Sequence, residues 1–275
     1  MMSGPEVSMK FSRLSCCAAL CASFVLTLSL IGCADMGTTP ISAANPTVTG
    51  NWQFSSASAN AAKLASFSGE LTGNASQMTG ILHSNSTTSC VAPSVAIAMT
   101  GSTNANGVTT LTSSNFPSGT LTITGTLATD GKSFNTAAYT VTGGTCAFTQ
   151  PANATAQDYA PISGTFTGGF SDPDGHLINV TATLTQSPTS DVDGNFTLSG
   201  NGTFPSNPCF ISPVTVSNTQ VTGGSFTFTY ADPTTTNSVT ANGTFSTDGK
   251  TLTVTSWTLT GPCGPDTGTG TLTRQ

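Results

Sequence analysis

Apolar side chains recur at every second position through much of this chain. In Thr120-Leu121-Thr122-Ile123-Thr124 the threonines fall on one side and the aliphatics on the other. Ser225-Phe226-Thr227-Phe228-Thr229-Tyr230 repeats the pattern with aromatics, and Ile178, Val180, Ala182 and Leu184 repeat it with aliphatics. A period of two belongs to strands with one buried face, and Thr among β-branched and aromatic residues suits such strands. Asp-Gly, Gly-Gly and Asn-Gly pairs separate these runs and accept the positive φ of tight hairpins. No stretch downstream of residue 33 carries a helical period.

The pattern runs through the body twice. Gly125-Thr126-Leu127-Ala128-Thr129-Asp130-Gly131-Lys132 is answered by Gly243-Thr244-Phe245-Ser246-Thr247-Asp248-Gly249-Lys250, about 118 residues later. Tyr139 to Cys146 is answered by Trp257 to Cys263, Cys90 by Cys209, and Gly50-Asn51-Trp52 by Gly164-Thr165-Phe166. A repeat of this length is a domain rather than a solenoid unit. Within each copy the apolar phase slips once. Leu252 and Val254 give way to Trp257 and Leu259, and Phe134 gives way to Tyr139 and Val141. Such a slip predicts a bulge that turns the strand and helps a sheet curl. About eight short strands per copy, joined in order, predict an all-β protein: two tandem antiparallel up-and-down β-barrels or curled β-sandwich repeats. Whether the copies form two barrels or one merged sheet is left open by the sequence. Closure would also protect sheet edges in a chain with so few charges.

The first 32 residues obey different rules. Met9-Lys10-Phe11-Ser12-Arg13 is a short basic segment, Leu14 to Gly32 is mostly apolar, and Leu30-Ile31-Gly32-Cys33 follows. This order is that of an export signal rather than of a folded element. Its end resembles the bacterial lipobox, in which a small residue precedes the cysteine whose thiol takes the lipid. The expected organisation is therefore a signal peptide over 1–32, a lipidated tether over 33–48, β-repeat 1 over 49–160 and β-repeat 2 over 161–275. Cys33 is the expected lipidation site, with diacylglycerol and palmitate-type acyl chains as its anchor. The residue after it is Ala34 rather than Asp, which by resemblance to enterobacterial sorting directs the protein to the outer membrane.

Charge narrows the partners. Only 7% of residues are charged and the formal net charge is −6. The basic residues beyond the leader, Lys63, Lys132, Lys250 and Arg274, are scattered. Neither a nucleic-acid surface nor a polybasic membrane patch can be built from them. The membrane partner is reached through lipid on Cys33; a glycan, an envelope protein or a small apolar ligand are the other candidate partners.

Four cysteines remain beyond the tether, and export favours their oxidation. The repeat pairs Cys90 with Cys146 and Cys209 with Cys263, at nearly equal separations. The swapped set, Cys90 with Cys263 and Cys146 with Cys209, is the alternative.

Catalytic sets are not apparent. His83 and His176 have no counterparts in the other copy; His83 has no nearby acid in sequence, and His176 falls in a predicted hairpin loop. Glu70 is the only glutamate past the leader, and most aspartates precede or lie near Gly, as turn residues do. Asp172/Asp174 and Asp191/Asp193 resemble half of a calcium loop without its remaining ligands. No cofactor, metal or catalytic residue is assigned, and the chain is not expected to be an enzyme.

With the Leu30-Ile31-Gly32-Cys33 lipobox, Gly50-Asn51-Trp52-Gln53-Phe54 and the Thr/Gly-rich hairpins together, the chain resembles a group of uncharacterised bacterial lipoproteins. The Gly-x-Trp opening is also similar to that of lipocalins and avidins, in which the Trp closes the barrel floor. The resemblance implies a location in the cell envelope and an all-β body. The expected function is a non-catalytic binding, adhesion or structural module. The alternatives are a carrier of a small apolar ligand, with Phe226, Phe228, Tyr230 and Trp257 lining its cavity, and, third, a hydrolase.

Overall fold

A computed structural model describes residues 45–56, 66–85, 91–117 and 119–275. The leader, Cys33 and Cys90 lie outside the described residues. All regular structure among them is strand. β1 to β8 are Gly50–Ser55, Ser66–Asn74, Gln77–Ser84, Ile97–Thr103, Val108–Ser113, Thr120–Leu127, Ser133–Thr142 and Phe148–Tyr159. β9 to β16 are Ser163–Ser171, Leu177–Gln186, Leu198–Thr203, Val214–Thr222, Ser225–Ala231, Ser238–Phe245, Thr251–Thr260 and Asp266–Arg274.

Each set of eight closes on itself. β1 pairs with both β2 and β8, and β9 with both β10 and β16, every neighbour antiparallel. The body is thus two closed up-and-down barrels, and the merged-sheet and sandwich alternatives fall. Two separate hydrophobic clusters fill them, one around Trp52, Phe54, Phe67 and Tyr139, the other around Phe166, Phe170, Phe228 and Trp257. Outward threonines pair across neighbouring strands, as Thr72 with Thr79 at 2.8 Å and Thr165 with Thr183 at 3.4 Å. This is the arrangement the alternating pattern requires.

The phase slips are bulges. Thr126 pairs with Thr136 while Leu127 pairs with Phe134, leaving Asn135 as the extra residue of β7. Asn242 pairs with Ser256 while Gly243 pairs with Val254, leaving Thr255 extra in β15. In each strand the bulge falls within a pair of consecutive exposed polar residues, Asn135-Thr136 and Thr255-Ser256. The two bulges are not at equivalent positions of the repeat.

The end of the expected tether is drawn into the first barrel. The Ala75 amide donates to Pro46 O, the Val48 amide donates to Gly73 O, and Thr47 bridges Asn74. Val48 is buried beneath this crossing, and the Trp52 indole Nε1 donates to its carbonyl at 2.7 Å. Residues 45–48 therefore cross one mouth of barrel 1. In barrel 2 the buried Ile162 precedes the first strand as Val48 does in barrel 1, and the Gln186 side chain accepts its amide hydrogen at 3.0 Å.

Candidate functional site

Residues 160–162 alone connect β8 to β9, so the barrels meet directly. The contact is built on the outward face of β1 and β2 and on the β12–β13 hairpin. Asn51 alternates with the inward Trp52 and therefore points away from its own core. Its Nδ2 donates to Gly223 O at 2.8 Å, and the Gly223 amide donates to its Oδ1 at 2.6 Å. The Gly224 amide donates to Gln53 Oε1 at 2.8 Å, and the Ser68 and Thr222 hydroxyls share a bond of 2.7 Å. A Cβ on Gly223 would stand 2.7 Å from Gln53 Oε1, and Gly223 has φ +53°, so the hairpin tip fits only as glycine. Around this seam, Ser190 donates to Glu70 at 2.5 Å and the Tyr159 ring meets Phe245 edge-on at 5.3 Å between centroids.

Two clefts flank the seam. The first, about 460 Å³, is walled by Asn51, Lys132, Gln157, Asp158 and Tyr159 of barrel 1 and by Gln186, Pro188, Phe196 and Asp248 of barrel 2. The second, about 580 Å³, lies between His83, Asn85 and Pro93 on one side and Asp193, Asn195 and Gln220 on the other. Both volumes are in the range of small-molecule sites.

In the first cleft, Lys132 Nζ meets Asp158 Oδ2 at 2.5 Å, the lysine half-exposed and the aspartate side chain 6% exposed. Burial pushes Asp158 above the usual carboxylate range; Lys132 and the amides of Asn51 and Tyr159 oppose this without cancelling it. Gly50 makes room for the carboxylate: a Cβ there would lie 2.2 Å from Asp158 Oδ1. The Gly-Asn-Trp opening thus has three duties, a space for Asp158, a clasp on Gly223 and a floor for barrel 1.

The expected site residues separate. Cys209 and Cys263 form a disulfide with Cα atoms 5.9 Å apart, which removes the swapped pairing. Cys146 is disulfide-bonded; its partner lies outside the described residues. Asn237, buried, ties the first bridge to its surroundings, donating to Cys209 O at 2.8 Å and accepting from the Cys263 amide at 3.0 Å.

His83 is 7% exposed and its Nδ1 lies 2.9 Å from Pro93 O, so that nitrogen carries the proton. His176 is on an exposed turn with Nδ1 2.7 Å from Asp172 Oδ2, which raises its pKa. The acid pairs act as turns: Asp191 Oδ1 accepts the amides of Asp193 and Asn195, and Asp172 Oδ1 accepts that of His176. Among the described residues no group of three or more His, Cys, Asp or Glu could hold a metal.

Phe226, Phe228, Tyr230 and Trp257 are buried in barrel 2 and touch other rings: Phe226 lies against Phe228 at 5.2 Å, Phe228 against Tyr230 at 4.9 Å, and Trp257 against Phe170 at 6.0 Å between centroids.

Sequence reasoning missed Asp232. It is buried, and its carboxylate accepts the amides of Ile211, Ser212, Thr234 and Thr235. Burial alone would raise it; the four amides together hold it below the usual carboxylate range. The Asp-Pro pair before Thr234 was the available signal. It also missed Gln157, which nothing in the local sequence distinguishes from surface polar residues, and Gln186, whose place in the Val180, Ala182, Leu184 alternation was the available signal.

Comparison with known proteins finds no family model that matches this chain and no curated protein similar to it in sequence.

Proposed function

We propose that the protein is an exported lipoprotein, anchored through Cys33, that displays a non-catalytic binding module at the envelope, the outer membrane being the favoured location. The observation that carries this reading is the junction. Two closed barrels with filled cores are clasped by Asn51 and Gly223, and polar clefts of ligand size remain between them. Rigid scaffolds that offer fixed polar groups in a concavity suit recognition. The carrier reading needs a hollow interior, and the ring-to-ring contacts of barrel 2 speak against it. A hydrolytic reading needs a base beside a nucleophile; His83 is buried with Nδ1 on Pro93 O, and His176 stands on an exposed turn with Nδ1 on Asp172.

Labelling cells with an alkyne analogue of palmitate, followed by fractionation, tests the anchor. The native chain takes the label and pellets with membranes; Cys33→Ser does neither. Cross-linked pull-down from intact envelopes tests the binding role. An unlabelled native chain would sink the anchor, and a pull-down identical to that of an unrelated lipoprotein would sink the module.

A further inference from the structure

The two glutamines of the first cleft are locked in opposite senses. Gln157 spends both Nε2 hydrogens on backbone carbonyls, Lys132 O at 3.0 Å and Asp158 O at 3.0 Å, so its Oε1 is left as an acceptor. Gln186 spends Oε1 on the Ile162 amide at 3.0 Å, so its Nε2 is left as a donor. Gln186 is 6% exposed, and its Nε2 has no protein partner among the described residues. Both side chains line the same cleft, Gln157 from barrel 1 and Gln186 from barrel 2. With Oε1 held by the Ile162 amide, the Gln186 side chain is already ordered, so its free Nε2 can meet a ligand at little further entropic cost.

We infer that this cleft, between Gln157 and Gln186, binds a neutral glycan. The inference rests on the binding-module reading and names its ligand. A hydroxyl donates and accepts on one atom, which matches a fixed acceptor facing the same space as a fixed donor. An anion could use only the donor, and a cation only the acceptor. The charges of the cleft are already paired, Lys132 with Asp158 and Asp248 with Lys250 at 3.6 Å. Tyr159 and Pro188 supply flat apolar surface to meet the C–H faces of a sugar ring. A peptide also carries donors and acceptors, but protein sites commonly hold extended peptides along a free sheet edge. Both barrels are closed and present none.

The test uses the processed full-length chain against an array of neutral saccharides (glucans, mannans, galactans and chitooligosaccharides), followed by titration calorimetry on the best binder. Gln186→Glu keeps the acceptor for the Ile162 amide and removes both Nε2 hydrogens. It should weaken binding at least about tenfold in protein that circular dichroism shows to be folded. Thr247→Trp, which fills the cleft from the barrel 2 side, should abolish binding. A saccharide whose affinity ignores both variants binds elsewhere, and the cleft assignment falls while the binding module stands. A peptide library that binds the cleft where no saccharide does overturns the glycan class. No saccharide bound at millimolar concentration overturns the inference, and only the envelope pull-down then decides the broader reading.

Discussion

The side-chain amide of Asn51 exchanges two hydrogen bonds with the backbone of Gly223, 172 residues further along the chain. One planar side chain thereby pairs with a hairpin tip much as a neighbouring strand would. The bonds are buried, so water cannot replace either partner if the other is lost.

Asn51→Ala should therefore leave the Gly223 N–H and C=O buried and unpaired, at a cost of about 2–4 kcal/mol. Asn51→Asp keeps the acceptor but sets a buried carboxylate oxygen against Gly223 O, and should cost at least as much. Chemical denaturation should show the alanine variant melting in two steps, one per barrel, where the native chain melts in one. Hydrogen exchange at the Gly223 amide should quicken in parallel; an unchanged rate would contradict the clasp.

Gly50→Ala places a methyl 2.2 Å from Asp158 Oδ1 and must displace the carboxylate from Lys132. The variant should be destabilised by about 1–3 kcal/mol, the usual cost of overpacking. Combined with Asp158→Ala, the Gly50→Ala substitution should cost much less than alone. A double-mutant cycle measures this, and simple additivity would show that the two residues do not compete for space.

Trp52 fills the floor of barrel 1 and donates to Val48 O. Trp52→Phe should lose mainly that bond, about 1 kcal/mol. Trp52→Ala should cost about 3–5 kcal/mol through the cavity it leaves. Thermal unfolding should rank them in that order.

Opening the Cys209–Cys263 bridge by a double substitution to Ser should destabilise barrel 2 by about 2–4 kcal/mol. The bridge closes a chain segment inside barrel 2, so tryptophan fluorescence with Trp52 replaced by Phe, reporting Trp257, should follow the loss.

Stability should respond to acid in two opposed phases. The folded-state pKa of Asp158 is raised, so the native state takes up its proton more readily. Its contribution grows as pH falls through that raised value and is complete below the unfolded value, about 4. The folded-state pKa of Asp232 is lowered, as are those of Asp172 and Asp248. Their stabilisation is full above about pH 4 and is lost as pH falls through the lowered values. Asp158→Asn should remove the gain on mild acidification, and Asp232→Asn should reduce the loss at lower pH, both read from denaturation midpoints across pH.

The barrels were legible because their cause is local. Leu121 and Ile123, or Phe226 and Phe228, alternate with threonine, and a period of two admits one buried face whatever the rest of the chain does. The bulges were legible for the same reason, since Val254 and Trp257 cannot both point inward on an unbroken strand. Their two-residue displacement between copies was not, because the repeat aligns Phe134 with Leu252 and Tyr139 with Trp257 and conceals where the slip falls. The cysteine repeat favoured Cys209–Cys263, but choosing it over the swapped pair needed the fold.

The seam was outside the reach of pattern. Asn51 and Gln157 are polar residues at outward positions, where solvent exposure is the ordinary expectation. Two alternating faces, a repeat and a phase slip were determined by the sequence alone, because each follows from which side of a strand a residue occupies. Tertiary structure alone decided which polar groups lose their water, because that depends on a hairpin 172 residues away coming to rest on β1.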